Sequence, residues 1–217
     1  MNSAQRVVVI GASGFGREAL DVLDAMIADG QQIEIIGVLD DAPSQVNLGR
    51  LADRGVSCLG TVDEWLAKGD ADARFVLGIG SPGIRRRLVA KLAGAGLQPL
   101  TAVHPSASFG SRTQMMEGVV VCAGAVISTN VQIGRYAYVN PNATIGHDAV
   151  LHDYVSVNPN ATVSGEVEIG EETLVGASAT ILQNLRVGER TVIGAGAVVT
   201  KNVPSGVVVK GVPGVWV

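Results

Sequence analysis

Aromatic residues make up only 4% of this 217-residue chain, and cysteine occurs twice. With so few rings, the apolar 47% must be packed from small and branched side chains, chiefly Val, Ala, Ile and Leu. Cys58 and Cys122 are far apart and belong to no CxxC pattern, so neither a zinc knuckle nor a redox pair is indicated, and both thiols are expected to stay reduced. A basic excess is also missing. Sixteen Lys and Arg against twenty Asp and Glu leave a formal charge of −4, which gives no reason to expect a nucleic-acid partner. No stretch approaches the length of a membrane helix. Met1 to Arg6 does not lead from a basic region into a long apolar one, as a secretory signal would. The expectation is a cytoplasmic chain without membrane insertion.

What is abundant is a period. From Val103 onward an apolar residue returns at every sixth position, through Phe109, Met115, Val121, Ile127, Ile133, Val139, Ile145, Leu151, Val157, Val163, Ile169, Val175, Ile181, Val187 and Ile193 to Val199. Four residues after these anchors come further small or apolar residues, among them Ala107, Ala125, Ala143, Ala161, Ala179 and Ala197. A fixed six-residue period is the mark of a β-helix, in which short strands wind into a prism and each coil covers the next. The anchors are expected to stack inward, and Gly134, Gly146, Gly170, Gly188 and Gly194, each following an anchor, are expected to ease tight corners.

Residues 1–102 follow a different rule. Strand-like runs at Arg6–Ile10, Ile33–Leu39, Arg74–Ile79 and Leu97–Val103 alternate with helical patterns after Gly16, from Thr61 through Ala67 and over Pro82–Ala93. Thr61-Val62-Asp63-Glu64 has the spacing of a capping box. Alternation of this kind implies a parallel sheet with crossover helices, a Rossmann-like α/β domain. The prism then occupies residues 103–217.

Between the first strand and the first helix lies Gly11-Ala12-Ser13-Gly14-Phe15-Gly16. A glycine-rich turn there aims backbone N–H groups and the positive helix end at an anion. Its spacing, GxxGxG, is not the dinucleotide GxGxxG. Two readings stand: the glycines only let helix and strand pack closely, or Gly11, Ser13 and Gly14 bind the phosphates of a nucleotide-linked ligand. In the second reading Asp40 accepts hydrogen bonds from a ribose or base, and Ser81-Pro82-Gly83 lines the same sheet edge.

The three histidines all lie at or beyond the start of the repeat. His104 reads as a capping or surface residue, and His152 as a surface corner residue or secondary contact. His147 is the third residue of its hexad and should project outward near a corner. Asp148 follows it directly and Asp153 falls in the next hexad. A carboxylate beside an imidazole fixes its tautomer and raises its basicity, as a general base requires. One coil further on, position 147 meets Gly165, which should leave room for a ligand. The histidines fall on different corners and no Cys, His or acid cluster has ligand spacing, so no metal is expected. Asn140-Pro141-Asn142 and Asn158-Pro159-Asn160 read as a stacked structural ladder, with substrate contact by Asn140 the weaker alternative.

The segments VVVIGASGFGREALDVL, GIGSPGIRRRL, GHDAVL, VSGEVEIGE, VGASATIL and IGAGAVVTKNVP together resemble the bacterial sugar O- and N-acetyltransferases of the sialic acid O-acetyltransferase and bacillosamine or perosamine N-acetyltransferase type. The resemblance covers nearly the whole chain. It implies a left-handed β-helix that forms a homotrimer, with acetyl-CoA as co-substrate in the groove between adjacent prisms. It also implies a nucleotide-sugar acceptor held by the α/β domain near Gly11, Ser13, Gly14 and Asp40. His147 matches the family's catalytic histidine, followed by its usual acid, here Asp148. The implied acetyl-CoA contacts are Ser156, Gly165, Gly176, Ala177, Gly194 and Ala195.

Three departures bear on acceptor and co-substrate. Phe15 stands where several amino-sugar members have a histidine contacting the acceptor. Ser156 stands where some relatives carry a second histidine. The chain also lacks the usual Ala and basic residue after Pro213, with Trp216 as a substitute packing group. The resemblance points first to N-acetylation of a nucleotide-linked amino sugar for surface glycan synthesis, by direct transfer in a ternary complex. A sugar O-acetyltransferase and a binding-only homologue are the alternatives.

Overall fold

The computed structural model describes residues 4–69 and 72–216, and the chain divides into two compact units at Ala102/Val103. The first unit is α/β: β1 (Gln5–Ile10), α1 (Gly14–Ala28), β2 (Ile33–Leu39), α2 (Gln45–Asp53), α3 (Val62–Lys68), β3 (Arg74–Leu77), α4 (Pro82–Gly94) and β4 (Gln98–Pro99). Its strands form one parallel sheet in the order β2-β1-β3-β4. The middle of β1 is apolar on both faces because both are covered: Val7, Val8 and Val9 have no exposed surface. Helix α1 buries Ala19, Leu20, Leu23 and Met26, one stripe at helical spacing.

One local expectation holds, one helix goes unannounced, and one expected strand is interrupted. The capping box forms, with Thr61 Oγ1 accepting from Glu64 N at 3.1 Å and Glu64 accepting from Thr61 N at 2.9 Å. Helix α2, which the periodicity does not announce, starts at Ser44, whose Oγ accepts from Asn47 N; it buries only Leu51 and so carries little apolar pattern. The stretch from Leu97 to Val103 is not one strand. Pro99 has no N–H to donate, and the chain pairs as β4, then resumes at β5 (Ala102–Val103).

From β5 to β22 (Val208–Val209) the second unit is a left-handed parallel β-helix of about six turns. Its two-residue strands stack into three sheets of seven, six and five strands. Each anchor pairs with the anchor three hexads on, as in Val139↔Val157, Ile145↔Val163 and Leu151↔Ile169. Anchors from Val121 to Val199 are buried, while Phe109 and Met115 in the first coil are exposed. Thr173 and Thr191 interrupt the apolar column; Thr173 Oγ1 donates to Gly188 O and accepts from Thr191 N, and Thr191 Oγ1 donates to Pro204 O.

The corners work differently from the sequence expectation. The glycines after the anchors do not adopt left-handed backbone; those φ values belong to the third residue after an anchor, including Asn130 (58°), Tyr136 (55°), Asp148 (60°) and Glu166 (58°). The glycines are required by space. A Cβ on Gly146 would stand 2.5 Å from Gly165 N in the next coil. The left-handed residues are held by main-chain bonds to the coil before, such as Asp148 N to Thr129 O at 3.0 Å and Glu166 N to His147 O at 2.8 Å. These offset a conformation that costs an L residue about 1–2 kcal/mol.

In the α/β unit a Cβ on Gly16 would stand 1.8 Å from Gly11 O, whereas one on Gly14 meets nothing within 4 Å. Gly16→Ala is therefore expected to destabilise this unit by about 1–3 kcal/mol, and Gly14→Ala to be neutral or slightly stabilising. Urea titration followed by the helical circular-dichroism signal checks this, since all helices among the described residues lie in this unit. Equal stability of the two variants would show that α1 approaches β1 less closely.

Candidate active site

The corner after Ile145 brings together His147, Asp148 and, from the next coil, Glu166. Gly146 lets the next coil approach, His147 projects outward, and Asp148 takes the left-handed turn position. His147 Nδ1 lies 2.7 Å from Asp148 Oδ2, and both side chains are exposed. The other carboxylate oxygen, Oδ1, accepts from Asn130 Nδ2 at 2.9 Å, eighteen residues earlier. These hydrogen bonds, Asn130's first and then His147's, hold the Asp148 carboxyl below its ordinary range. With Asp148 ionised, Nδ1–H donates to it, which in the neutral imidazole leaves the lone pair on Nε2.

Gly165 stands next to this ring, but not as a vacancy for ligand. A Cβ there would lie 2.5 Å from His147 Nε2, so the imidazole itself uses the space that glycine leaves. Glu166, which follows, brings a third ligand atom: those of His147, Asp148 and Glu166 lie within 4.8 Å of one another. Linear spacing concealed this trio, and the expectation that no His-acid cluster would form is corrected here. Asn130 and Glu166 sit one coil before and one coil after Asp148. The eighteen-residue step that leads from His147 to Gly165 locates both.

The remaining prism candidates fall elsewhere. Asp153 is not a partner of His147; it is on the next corner, where Oδ1 accepts from Arg135 N at 2.7 Å. His152 lies at the surface with Nε2 3.0 Å from Glu168 Oε1, and Arg186 Nε is 3.3 Å from Glu168 Oε2. His104 caps a turn, its Nδ1 accepting from Ser106 N at 3.1 Å. Asn140 is buried and donates to Val157 O at 2.9 Å, as a structural ladder requires.

Ala177 and Ala195 are exposed and stacked on the corner that follows Val175 and Ile193, a different corner from that of His147 and Gly165. Gly176 and Gly194 there have their absent side chains against the next coil: a Cβ would meet Ala195 N at 2.6 Å and Val209 O at 3.0 Å, respectively. Ser156 is buried in its strand. Near the chain's end Trp216 packs against the prism core with Lys201 Nζ 4.8 Å from its ring centroid, and Trp216, Val208, Lys210 and Val215 line an open depression.

In the α/β unit the glycine-rich turn is partly committed to its own fold. Gly11 (φ 114°) packs on Gly78 O, and Gly11 N donates to Leu39 O at 2.7 Å. Asp40 Oδ2 accepts from Ala12 N at 2.8 Å and Oδ1 from Ala42 N at 2.9 Å. Asp40 thus ties the turn after β1 to the turn after β2. Ser13 and Gly14 at the start of α1 are exposed, and Phe15 is half-buried. Ser81 begins α4 and is exposed. No helix among the described residues is long and apolar enough to cross a membrane.

Residues 6–92 match the PglD N-terminal domain family, and residues 130–165 and 166–201 match the bacterial transferase hexapeptide family. The chain is 30% identical over 142 residues to GDP-perosamine N-acetyltransferase of Escherichia coli O157:H7, covering 64% of this chain and 61% of that relative's length. It resembles a crystal structure of a histidine-to-asparagine variant of perosamine N-acetyltransferase from Caulobacter crescentus in complex with CoA and GDP-perosamine (TM-score 0.87, 28% identity, covering 97% of this chain and 96% of that one). It also resembles the acetyltransferase domain of PglB from Neisseria gonorrhoeae FA1090 in complex with acetyl coenzyme A (TM-score 0.87, 27% identity, covering 99% and 100%). The chain thus carries a segment that matches the PglD N-terminal domain family, followed by two that match the bacterial transferase hexapeptide family.

Proposed function

We propose that this chain is an acetyl-CoA-dependent N-acetyltransferase acting on a nucleotide-linked amino sugar. The observation that carries the reading is the His147–Asp148 pair, one nitrogen bound to a carboxylate and the other free to accept a proton. The named activities of the similar proteins supply the acyl donor and the class of acceptor.

In this reaction the acceptor nitrogen attacks the thioester carbonyl of acetyl-CoA as His147 Nε2 takes its proton. Asp148 accepts the Nδ1–H bond throughout and stabilises the imidazolium that forms. Backbone N–H groups stabilise the oxyanion. The carbon–sulfur bond then breaks, and the CoA thiolate recovers the proton from the imidazolium. Holding both substrates together in a ternary complex supplies a proximity term of up to about 7–11 kcal/mol.

The acyl donor is assigned to the small-residue corner of Gly176, Ala177, Gly194 and Ala195, with Ser156 and Gly165 as further contacts. Apart from Ser156, which is buried in its strand, these residues lie on two corners of one prism. A groove between neighbouring prisms of a homotrimer would bring one corner of each subunit against the next, as a symmetric ring of heterologous contacts requires. The acceptor's phosphates are assigned to Ser13 and Gly14 at the start of α1, with Gly11, Phe15, Asp40 and Ser81 around them. Because Asp40 already accepts from Ala12 N and Ala42 N, its part is to hold the turn in shape as well as to offer its remaining acceptor capacity. Cytoplasmic chemistry suits this pair of substrates.

Release of CoA thiol from acetyl-CoA, with a panel of nucleotide-linked amino sugars and hydroxyl-bearing sugars, tests the reading. Turnover is expected on an amine acceptor and not on the hydroxyl sugars. His147→Ala is expected to lower kcat by about 10²–10⁴ with acetyl-CoA binding nearly unchanged; a loss below tenfold removes His147 as the base. Gly165→Ala places a Cβ where the imidazole lies and is expected to turn the ring away from Asp148, lowering kcat by at least about tenfold. A crystal structure of that variant with the 2.7 Å contact intact would contradict this. Gly14→Asp sets a carboxylate in the turn and is expected to weaken acceptor binding alone. Calorimetry showing equal losses for acceptor and acetyl-CoA would undo the separate assignment of the two ligands.

A further inference from the structure

Asp148 is exposed, so no packing fixes the torsion that aims its carboxylate at His147. Two hydrogen bonds do so, one for each oxygen: Oδ2 faces His147 Nδ1 at 2.7 Å and Oδ1 accepts from Asn130 Nδ2 at 2.9 Å. We infer that Asn130 is a positioning residue for the acetyl transfer, its amide holding the Asp148 carboxylate where it orients the His147 imidazole. The inference rests on His147 acting as the base.

The main chain supplies only half of the alignment. Asn130 and Asp148 occupy the same corner one coil apart, both left-handed, with φ of 58° and 60°. Asn130 N donates to Ser111 O and Asp148 N to Thr129 O, each at 3.0 Å, so the backbone frame is set by the ladder between coils. The side-chain torsions are not. A carboxylate accepting from the imidazole alone could rotate and take the ring with it. A second donor, fixed to the neighbouring coil, removes that freedom.

Asparagine adopts left-handed backbone more readily than most residues, which offers a purely conformational explanation of its presence. The same corner argues against it. Arg112 and Glu166 hold that position with φ of 62° and 58°, so the turn does not demand asparagine. What position 130 requires is an uncharged donor. An acid there would face Asp148 with like charge.

Two variants separate the alternatives. Asn130→Gly keeps the left-handed backbone and removes the amide. Asn130→Asp keeps the shape and replaces the donor with a carboxylate. Asn184, three coils beyond Asn130 on the same corner and also left-handed at 63°, serves as control through Asn184→Gly. Steady-state kinetics would use acetyl-CoA and the best amino-sugar acceptor, with thermal unfolding of each protein alongside. Both Asn130 variants are expected to lose about tenfold or more in kcat, the aspartate more than the glycine, with KM and Tm little changed. The Asn184 variant is expected to match the parent. Parent-like kcat in Asn130→Gly overturns the inference. A fall in kcat matched by a fall in Tm, or a rise in KM alone, does so as well. His147→Ala is measured in parallel: if it stays active, the general-base reading fails and this inference with it. If it is inactive while Asn130→Gly is not, only the role of Asn130 is lost.

Discussion

The coil-to-coil register of the prism is the constraint on which its surface depends. Each strand pairs with the strand three hexads on, and each left-handed corner residue donates its N–H to the coil before, as Asp148 does to Thr129 and Glu166 to His147. A slip of one residue would turn the anchors outward and put their polar neighbours inside. Because the core of Val139, Ile145, Leu151, Val157 and Val163 has no exposed surface to spare, such a slip is strongly opposed. Residues eighteen apart are thereby made neighbours. The prism thus converts a sequence interval into a distance, and its polar clusters are columns.

That conversion accounts for what could be read in advance. The anchors and the buried alanines follow from a simple period, since an inward side chain at each sixth position is the only way to fill the bore. The His147–Asp148 pair is legible because its members are adjacent. Asn130 and Glu166 were missed because their relation to Asp148 exists only once the coils are stacked, although the step that points to Gly165 points to them. The corner glycines were found for the wrong reason. Their type is dictated by the approach of the next coil, as Gly146 against Gly165 N shows. The left-handed φ falls on residues such as Tyr136 and Glu166 that no propensity scale would select. Tertiary hydrogen bonds override local preference there, whereas α2 buries only Leu51 and so shows little of a core face.

The glycine-rich turn shows how one motif serves two demands at once. Gly16 is needed because α1 crosses β1 with the Gly11 carbonyl in the way, and Gly11 because it rests on Gly78. Packing therefore explains two of the three glycines. A Cβ on Gly14 would meet nothing within 4 Å, so packing does not call for glycine there. Its absent side chain leaves the start of the helix open to the outside, next to Ser13. The bond from Ala12 N to Asp40 settles the turn without consuming that open face. The packing reading available from sequence thus accounts for Gly11 and Gly16, and the phosphate-binding proposal rests on Ser13 and Gly14.

The catalytic assignment has a further physical consequence. His147 and Asp148 are exposed, so neither gains from a dry surrounding in the single prism, and their alignment rests on hydrogen bonds that water can compete for. Acyl transfer to an amine gains from excluding water around the developing charge. One exposed corner cannot do that. The proposed groove between prisms, filled by acyl donor and acceptor, would supply a second surface over the dyad. Separating the two tasks has a structural logic. In the proposed reaction the register of one chain sets where His147 points, through Gly165, Asp148 and Asn130, and the proposed groove with its substrates supplies the enclosure. An outward-facing histidine is then a requirement of the chemistry, because a base buried in the bore could be kept dry but could never meet two substrates.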